Sequence, residues 1–360
     1  MKKLFFGIFL AAILISCKDN KKEKKFESTS EKISNIIEEN AKSLLDDKRF
    51  HSVSIAVLKD GIEISKHFGE LEIGKGNVPN DSTIYEIASV TKTFLGTIAA
   101  KAVLDGKINL NDDVRIYLQQ PYPNFEFDGK PVTIKHLLTH TSGFPNFPIK
   151  GENKPDFFEG LKEIKIESKI GSEYAYSNTA PELMAYILEK VYETPYEELV
   201  SKFILNPNRM NNTKFDLTQD EKLRLVKGYN EENEIMPNFK RNLWGGTIGL
   251  HSTTLDLIKY MKLQLDETNL VIKESHKDFF ETPYDFSIGY HWNIIKDGQN
   301  KIYRHHGGIF GMQNWFMIYP KYDMGISILS NASFDDTGDI LEDVAENIAN
   351  EIKTIKESAK

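Results

Sequence analysis

The stretch Ile87-Ala88-Ser89-Val90-Thr91-Lys92 sets a lysine three residues after a serine. A helix starting near Ser89 would stand the two side chains one turn apart on a single face, with the amine within reach of the hydroxyl. That is a nucleophile beside a possible base. A serine hydroxyl attacks carbonyl carbon poorly at neutral pH, and a lysine amine accepts its proton only when its pKa falls well below the free value of about 10.4. Burial at the foot of a cleft, near other cationic groups, has that effect. The same pattern also describes a helix-capping serine next to a solvated lysine. Serine with lysine three residues on occurs once in the chain, and the surrounding elements must decide between the two.

Ile84 to Ala88 and the run Phe94-Leu95-Gly96-Thr97-Ile98-Ala99-Ala100 predict a helix buried on most sides. Upstream, Ser28-Thr29-Ser30-Glu31 offers helix caps, and Ile33, Ile36, Ile37, Ala41, Leu44 and Leu45 recur at helical spacing. Val53, Ile55 and Val57 then alternate, Asp60-Gly61 supplies a turn, and Ile62, Ile64 and Phe68 continue the pattern of an antiparallel hairpin. Residues 101–285 carry helical patterns and proline-rich loops with few strand candidates. Strand character returns at Lys301–His305, Gln313–Tyr319 and Gly325–Ser330, before a final amphipathic helix carrying Ile340, Leu341, Val344, Ala345, Ile348 and Ile352. Strands at both ends of the chain predict an α+β fold: one antiparallel sheet built from N- and C-terminal segments, flanked by the terminal helices, with a mostly helical domain inserted.

With 360 residues and 40% hydrophobic content, the chain can bury a large core, which excludes the disordered and fibrous classes. A net charge of −8 gives no reason to expect nucleic acid as a partner. Lys2 and Lys3 precede the apolar run Leu4–Ile15, which is too short to span a bilayer and is laid out as a secretory signal. Its end, Leu14-Ile15-Ser16-Cys17, resembles a bacterial lipobox, which implies that Cys17 is lipidated and begins the mature protein. Cys17 is the one cysteine in the sequence, so no intrachain disulfide can form. Residues 1–17 therefore read as signal and lipobox, 18–27 as a charged tether, and 28–355 as the folded domain. The expected location is the bacterial cell envelope, anchored through lipid to a membrane on the periplasmic side or at the cell surface.

The order Ser89-Val90-Thr91-Lys92, then Tyr176-Ser177-Asn178, then His306-Gly307-Gly308 resembles the three motifs of serine β-lactamases and penicillin-binding proteins, in the version of class C β-lactamase-like hydrolases. His136-Leu137-Leu138-Thr139-His140-Thr141-Ser142-Gly143, Trp244-Gly245-Gly246 running into Ser252-Thr253-Thr254-Leu255-Asp256, and Gly311 agree with it. The resemblance extends from about Ile36 to Ala349. It implies a β-lactamase/transpeptidase-like fold and acyl transfer through a covalent serine ester. In that scheme Ser89 attacks, Lys92 and Tyr176 share the proton transfers, and Asn178 binds a substrate amide or helps hold Lys92. The backbone N–H groups of Ser89 and Ile309 would form the oxyanion hole.

The resemblance places His306, Gly307 and Gly308 where typical β-lactamases have Lys-Thr-Gly, whose lysine and threonine hold the drug's carboxylate. A histidine largely neutral at pH 7, followed by a glycine without a hydroxyl, implies weak carboxylate binding. The expected substrates are small esters or D-amino-acid peptide-like amides, peptidoglycan-derived peptides among them, with weak or no β-lactamase activity. The other behaviour of this fold is that of a sensor or binding module that traps acyl groups or holds peptidoglycan stems without turnover. A pure binder has no chemical need of both Ser89 and Lys92. The serine route requires neither metal nor cofactor, and none is expected.

Tyr122-Pro123-Asn124 also fits Y-x-N, but its prolines place it in a loop, whereas Tyr176 opens a segment leading into the helical stretch Pro181–Val191. His67-Phe68-Gly69 fits H-x-G but precedes the nucleophile and reads as a strand end. The doublet His305-His306 allows two registers; the glycine pair directly after His306, where backbone can come close to a ligand, favours His306. His136 and His140 are four apart and could share a helix face, yet they lack the glutamate of H-E-x-x-H and a clear third ligand. A packed, hydrogen-bonded pair is expected there. Phe144, Phe147, Phe157 and Phe158 either line a cleft or form local core.

Overall fold

The computed structural model describes Met1 and residues 28–355, Ser168 apart. Cys17 and the 18–27 tether lie outside the described residues. The domain opens with α1 (Thr29–Asp46), started by a capping box in which Ser28 Oγ accepts from Glu31 N–H and the Glu31 carboxylate accepts from Ser28 N–H. Ile33, Ile37, Ala41 and Leu44 form its buried stripe. β1 (Ser52–Lys59) and β2 (Ile62–Gly69) make the expected hairpin, with Asp60 and Gly61 both at positive φ in the two-residue turn. The helices α2 (Thr91–Leu104), α3 (Thr179–Tyr192) and α4 (Thr254–Leu265) follow, with shorter helices between them. The chain then returns to the sheet through β3 (Phe280–Glu281), β4 (Ser287–Gly289), β5 (Trp292–Asp297), β6 (Asn300–Ile309), β7 (Met312–Tyr319) and β8 (Met324–Ser330), and closes on α5 (Thr337–Lys353).

The eight strands form one antiparallel sheet in the order β2-β1-β8-β7-β6-β5-β4-β3. Its two halves meet where β1 pairs with β8, Val53 opposite Ser330 and Lys59 opposite Met324. β1 is buried from Ser52 through Leu58 because both faces of the sheet are covered. Val53, Ile55 and Val57 join Ile326 and Ile328 beneath α1 and α5, while Ala56 and Leu58 point the other way, into a core shared with α2 and α4. α5 contributes Leu341, Ala345, Ile348 and Ile352 to the first core. Each fully buried valine, leucine or isoleucine side chain among these stabilises the fold by roughly 1.5–3 kcal/mol.

α2 is buried continuously from Thr91 to Ala100. It crosses the corner between β4 and β5 at backbone contact distance: a Cβ added to Gly96 would lie 1.9 Å from the Tyr290 carbonyl oxygen. The expected strand Lys301–His305 continues to Ile309 and so carries the third motif. β3, β4 and β5 were not expected from the sequence. β3 and β4 are only two and three residues long, and β5 alternates inward Trp292 and Ile294 for one short stretch before the Asp297-Gly298 turn, too little to register as periodicity.

Candidate active site

A two-residue ribbon, Tyr85–Glu86 paired with His251–Ser252, delivers the chain into a single 3₁₀ turn, Ala88–Val90, which runs directly into α2. Ala88 sits at φ +45°, a region unfavourable for a residue with a Cβ. Ser89 therefore stands on a tight turn at the start of a buried helix. Lys92, one turn on, is fully buried, and its Nζ lies 2.9 Å from Ser89 Oγ. Nζ also donates to the Thr247 carbonyl at 3.1 Å. The Tyr176 hydroxyl donates to Ser89 Oγ at 3.0 Å, and its ring centre lies 5.0 Å from Nζ.

Burial assigns the two partners different protonation habits. Desolvation pulls the Lys92 amine well below its ordinary value, against the opposing influence of the Glu182 carboxylate. The Tyr176 phenol is pushed up to about 12 by burial, partly offset by its bond to Ser89. Lys92 is thus the group able to take the serine proton, and Tyr176 remains a neutral donor near pH 7.

The Tyr176 loop is held by the stretch following the short helix Ile134–Leu138. Ala175 N–H donates to the His140 carbonyl (2.8 Å), Ser177 N–H to His140 Nδ1 (3.2 Å), Ser177 Oγ to the Pro145 carbonyl (2.8 Å) and Asn178 N–H to the Asn146 carbonyl (2.6 Å). The His140 ring packs 4.6 Å from that of Tyr176. His136 instead caps its own helix, its Nδ1 accepting from Thr133 N–H at 3.1 Å. The two histidines therefore serve different partners, and no group of three metal-binding side chains occurs among the described residues. Asn178 Nδ2 donates to Asn146 Oδ1 at 2.9 Å. The task of holding Lys92, one of two implied for Asn178, falls to Thr247.

The third motif requires a correction. Alternation along β6 turns His305 toward the site and His306 away from it. His305 is 4% exposed; burial first, and then the Lys92 charge, bring its imidazole down to about 3. His306 Nε2 pairs with Gln313 Oε1 at 2.9 Å, and its ring lies 5.1 Å from that of Trp315 and beside Gly338 of α5. The expectation that His306 lines the site is overturned, because a one-residue shift of register along a strand exchanges its faces. Gly307 shares the His305 face and packs on the nucleophile turn, where a Cβ would lie 2.4 Å from the Ile87 carbonyl oxygen. With the motif read as His305-His306-Gly307, the residue that follows it is Gly308 rather than Ile309.

Two buried residues had no expectation attached. Glu182, 5% exposed on α3, accepts from Gly245 N–H at 3.0 Å and Thr247 N–H at 2.9 Å. Its signal in the sequence is a charge inside the otherwise apolar stretch Ala180–Ala185. His291 is fully buried at φ +66°, with Nδ1 3.3 Å from His140 Nε2. On the side of the Thr247 turn that anchors Lys92 lies a cavity of about 200 Å³ whose wall includes Phe147, Asn178, Glu182, Leu243 and Thr247. Phe147 is exposed on this wall, Phe144 and Phe157 are core, and Phe158 packs on Tyr186 and Trp244. Tyr122 stacks on Phe125, and His67 bonds Ser54 and Asp81 on β2.

A family model described as Beta-lactamase matches residues 37–350. Protein flp of Staphylococcus aureus (strain N315) is 26% identical over 314 residues, 82% of this chain and 63% of that protein. A Beta-lactamase of Providencia stuartii is 26% identical over 265 residues, 73% of this chain and 65% of that one. The chain therefore spans 63–65% of the length of these curated relatives. Among solved structures, a beta-lactamase/D-alanine carboxypeptidase from Yersinia pestis complexed with citrate superimposes with a TM-score of 0.81 at 22% identity, over 91% of this chain and 100% of that one. A class C beta-lactamase gives a TM-score of 0.82 at 21% identity, over 92% and 99%. These structural likenesses extend to the fold.

Proposed function

The chain belongs to the beta-lactamase family, and on that premise we propose that it is a serine hydrolase acting through an acyl-serine intermediate on small esters and D-amino-acid peptide-like amides. The observation that carries this reading is Ser89 Oγ held 2.9 Å from the Lys92 amine and 3.0 Å from the Tyr176 hydroxyl. Ser89 Oγ attacks the carbonyl carbon as its proton passes to the neutral Lys92 amine. The N–H groups of Ser89 and Gly308 receive the oxyanion, a role that moves from Ile309 with the corrected register. Collapse breaks the bond to the alcohol or amine, which leaves with the proton returned through Lys92 and the Tyr176 hydroxyl. Water then attacks the ester, gives up its proton by the same route, and the carboxylic acid departs as Ser89 regains its hydrogen.

The substrate range follows from what faces the nucleophile. His305 stands where the family's carboxylate-binding lysine is expected, and its imidazole is neutral at pH 7, so this position offers no fixed cation to a drug carboxylate. Lipidation at Cys17 would keep the domain at the envelope, where peptidoglycan-derived peptides are found. The test is hydrolysis of p-nitrophenyl acetate and butyrate, D- and L-alanyl p-nitroanilides and nitrocefin by the full chain and by Ser89→Ala. Esters or the D-alanyl amide should exceed nitrocefin in kcat/KM, and all turnover should vanish in the variant. Nitrocefin as the best substrate would contradict the substrate assignment, and equal activity of the two proteins would contradict the nucleophile.

A further inference from the structure

We propose that Glu182 is a positioning residue for the base: its buried carboxylate clasps the Gly245–Thr247 turn, whose Thr247 carbonyl anchors Lys92, and its charge governs how readily Lys92 releases its proton. This rests on the hydrolase reading above. Glu182 lies one turn after Asn178 on α3, with its two oxygens bonded separately to Gly245 N–H and Thr247 N–H. Thr247 is fixed a third time, its Oγ1 donating to the Asn178 carbonyl at 2.6 Å. The Lys92 amine is thereby tied, through one carbonyl at 3.1 Å, to a turn that the buried Glu182 side chain holds at two N–H groups.

Backbone N–H groups alone do not call for a buried carboxylate, since neutral acceptors satisfy them without the cost of burying a charge. Burial pushes the Glu182 carboxyl above its ordinary value, and the Thr247 and Gly245 N–H groups, with Lys92 after them, act in the opposite direction. The other titratable groups facing Lys92 are the Tyr176 phenol, His140 from the loop after Leu138, His291 from the β4–β5 corner and His305 from β6, and none of them carries a carboxyl group. Tyr196 faces Glu182 from the helix after α3. Arg241, on the cavity wall, is committed to Glu197 and Asp216. Glu182 is thus the acid that faces the base among these groups.

The test follows the rate at which a fluorophosphonate probe labels Ser89 in the full chain, read by intact mass from pH 5 to 10. Labelling should rise with pH as Lys92 loses its proton. Removing the neighbouring negative charge makes that loss easier, so Glu182→Gln should move the rise about one unit to lower pH. Glu182→Asp, which keeps the charge but loosens the clasp, should label more slowly with the rise near its original position. A slower Glu182→Gln whose rise has not moved would overturn the proposal and leave Glu182 a backbone clasp only. Wild type that fails to label at any pH would contradict the hydrolase reading itself, and the proposal with it. Should Glu182→Gln not fold, a carbon-13 NMR titration of the wild-type protein decides: the Glu182 carboxyl and Lys92 Cε should share a pair of midpoints, and independent midpoints overturn the coupling.

Discussion

Ser89 Oγ lies between a buried amine whose hold on a proton is weakened and a buried phenol whose hold is strengthened, and this asymmetry makes a weak nucleophile useful. His305 and His306 separate in the same way, by environment. His305→Ala alters the surface facing Lys92, and kcat/KM for p-nitrophenyl acetate should change by about tenfold or more, because a buried polar group near the reacting atoms is lost. His306→Ala removes the pairing with Gln313 on the opposite face, so it should cost about 1 kcal/mol of stability and leave kcat/KM within about threefold. The reverse ranking would restore the rejected register. In the sequence, Ser89 and Lys92 are singled out by residue type and spacing, and Tyr176 and Asn178 by the resemblance of their motif. Glu182 and His291 are not, since Glu182 meets the Gly245 and Thr247 backbone, and His291 the His140 ring, only in three dimensions, and the choice between His305 and His306 turned on strand parity that the glycine pair obscured.

At the scale of elements, the site exists because strand β6 runs against the turn that presents Ser89. Gly307 is the point of contact, with its missing side chain aimed at the Ile87 carbonyl oxygen. Gly307→Ala would force a 2.4 Å contact and push strand from turn, so ester hydrolysis should fall at least about a hundredfold, with a Tm several degrees lower. At Gly308 the nearest side-chain atom to an added Cβ is 3.2 Å away on the His306 ring, so Gly308→Ala should lower the Tm less. Thermal melts of the two variants side by side make the comparison. The terminal helices, the first hairpin and the last two strands were legible from periodicity, because each buries one face over many residues. β3 to β5 were not, being too short to show a period before the sheet supplies their partners.

The domain joins its N- and C-terminal strands through the β1–β8 ladder and closes a mixed α/β fold over a centre that buries three imidazoles. His140, His291 and His305 are held below their ordinary value chiefly by burial, His305 to about 3. Below about pH 6.5 an unfolded chain takes up protons on these rings that the folded protein refuses. Stability is therefore full above that pH and declines as pH falls toward 3, by up to about 1.4 kcal/mol per pH unit for each such ring. Melting curves from pH 7 to 4.5 should show the decline, and His305→Asn should reduce its slope; a flat profile would mean that the rings are solvated. If Ser89 carries the acyl group during turnover, rapid-quench intact mass spectrometry with p-nitrophenyl butyrate should capture it there. A transient adduct with the mass of one butyryl group, located at Ser89 and absent from Ser89→Ala, is the expected result; turnover without any such adduct, or an adduct that persists in the variant, would contradict it.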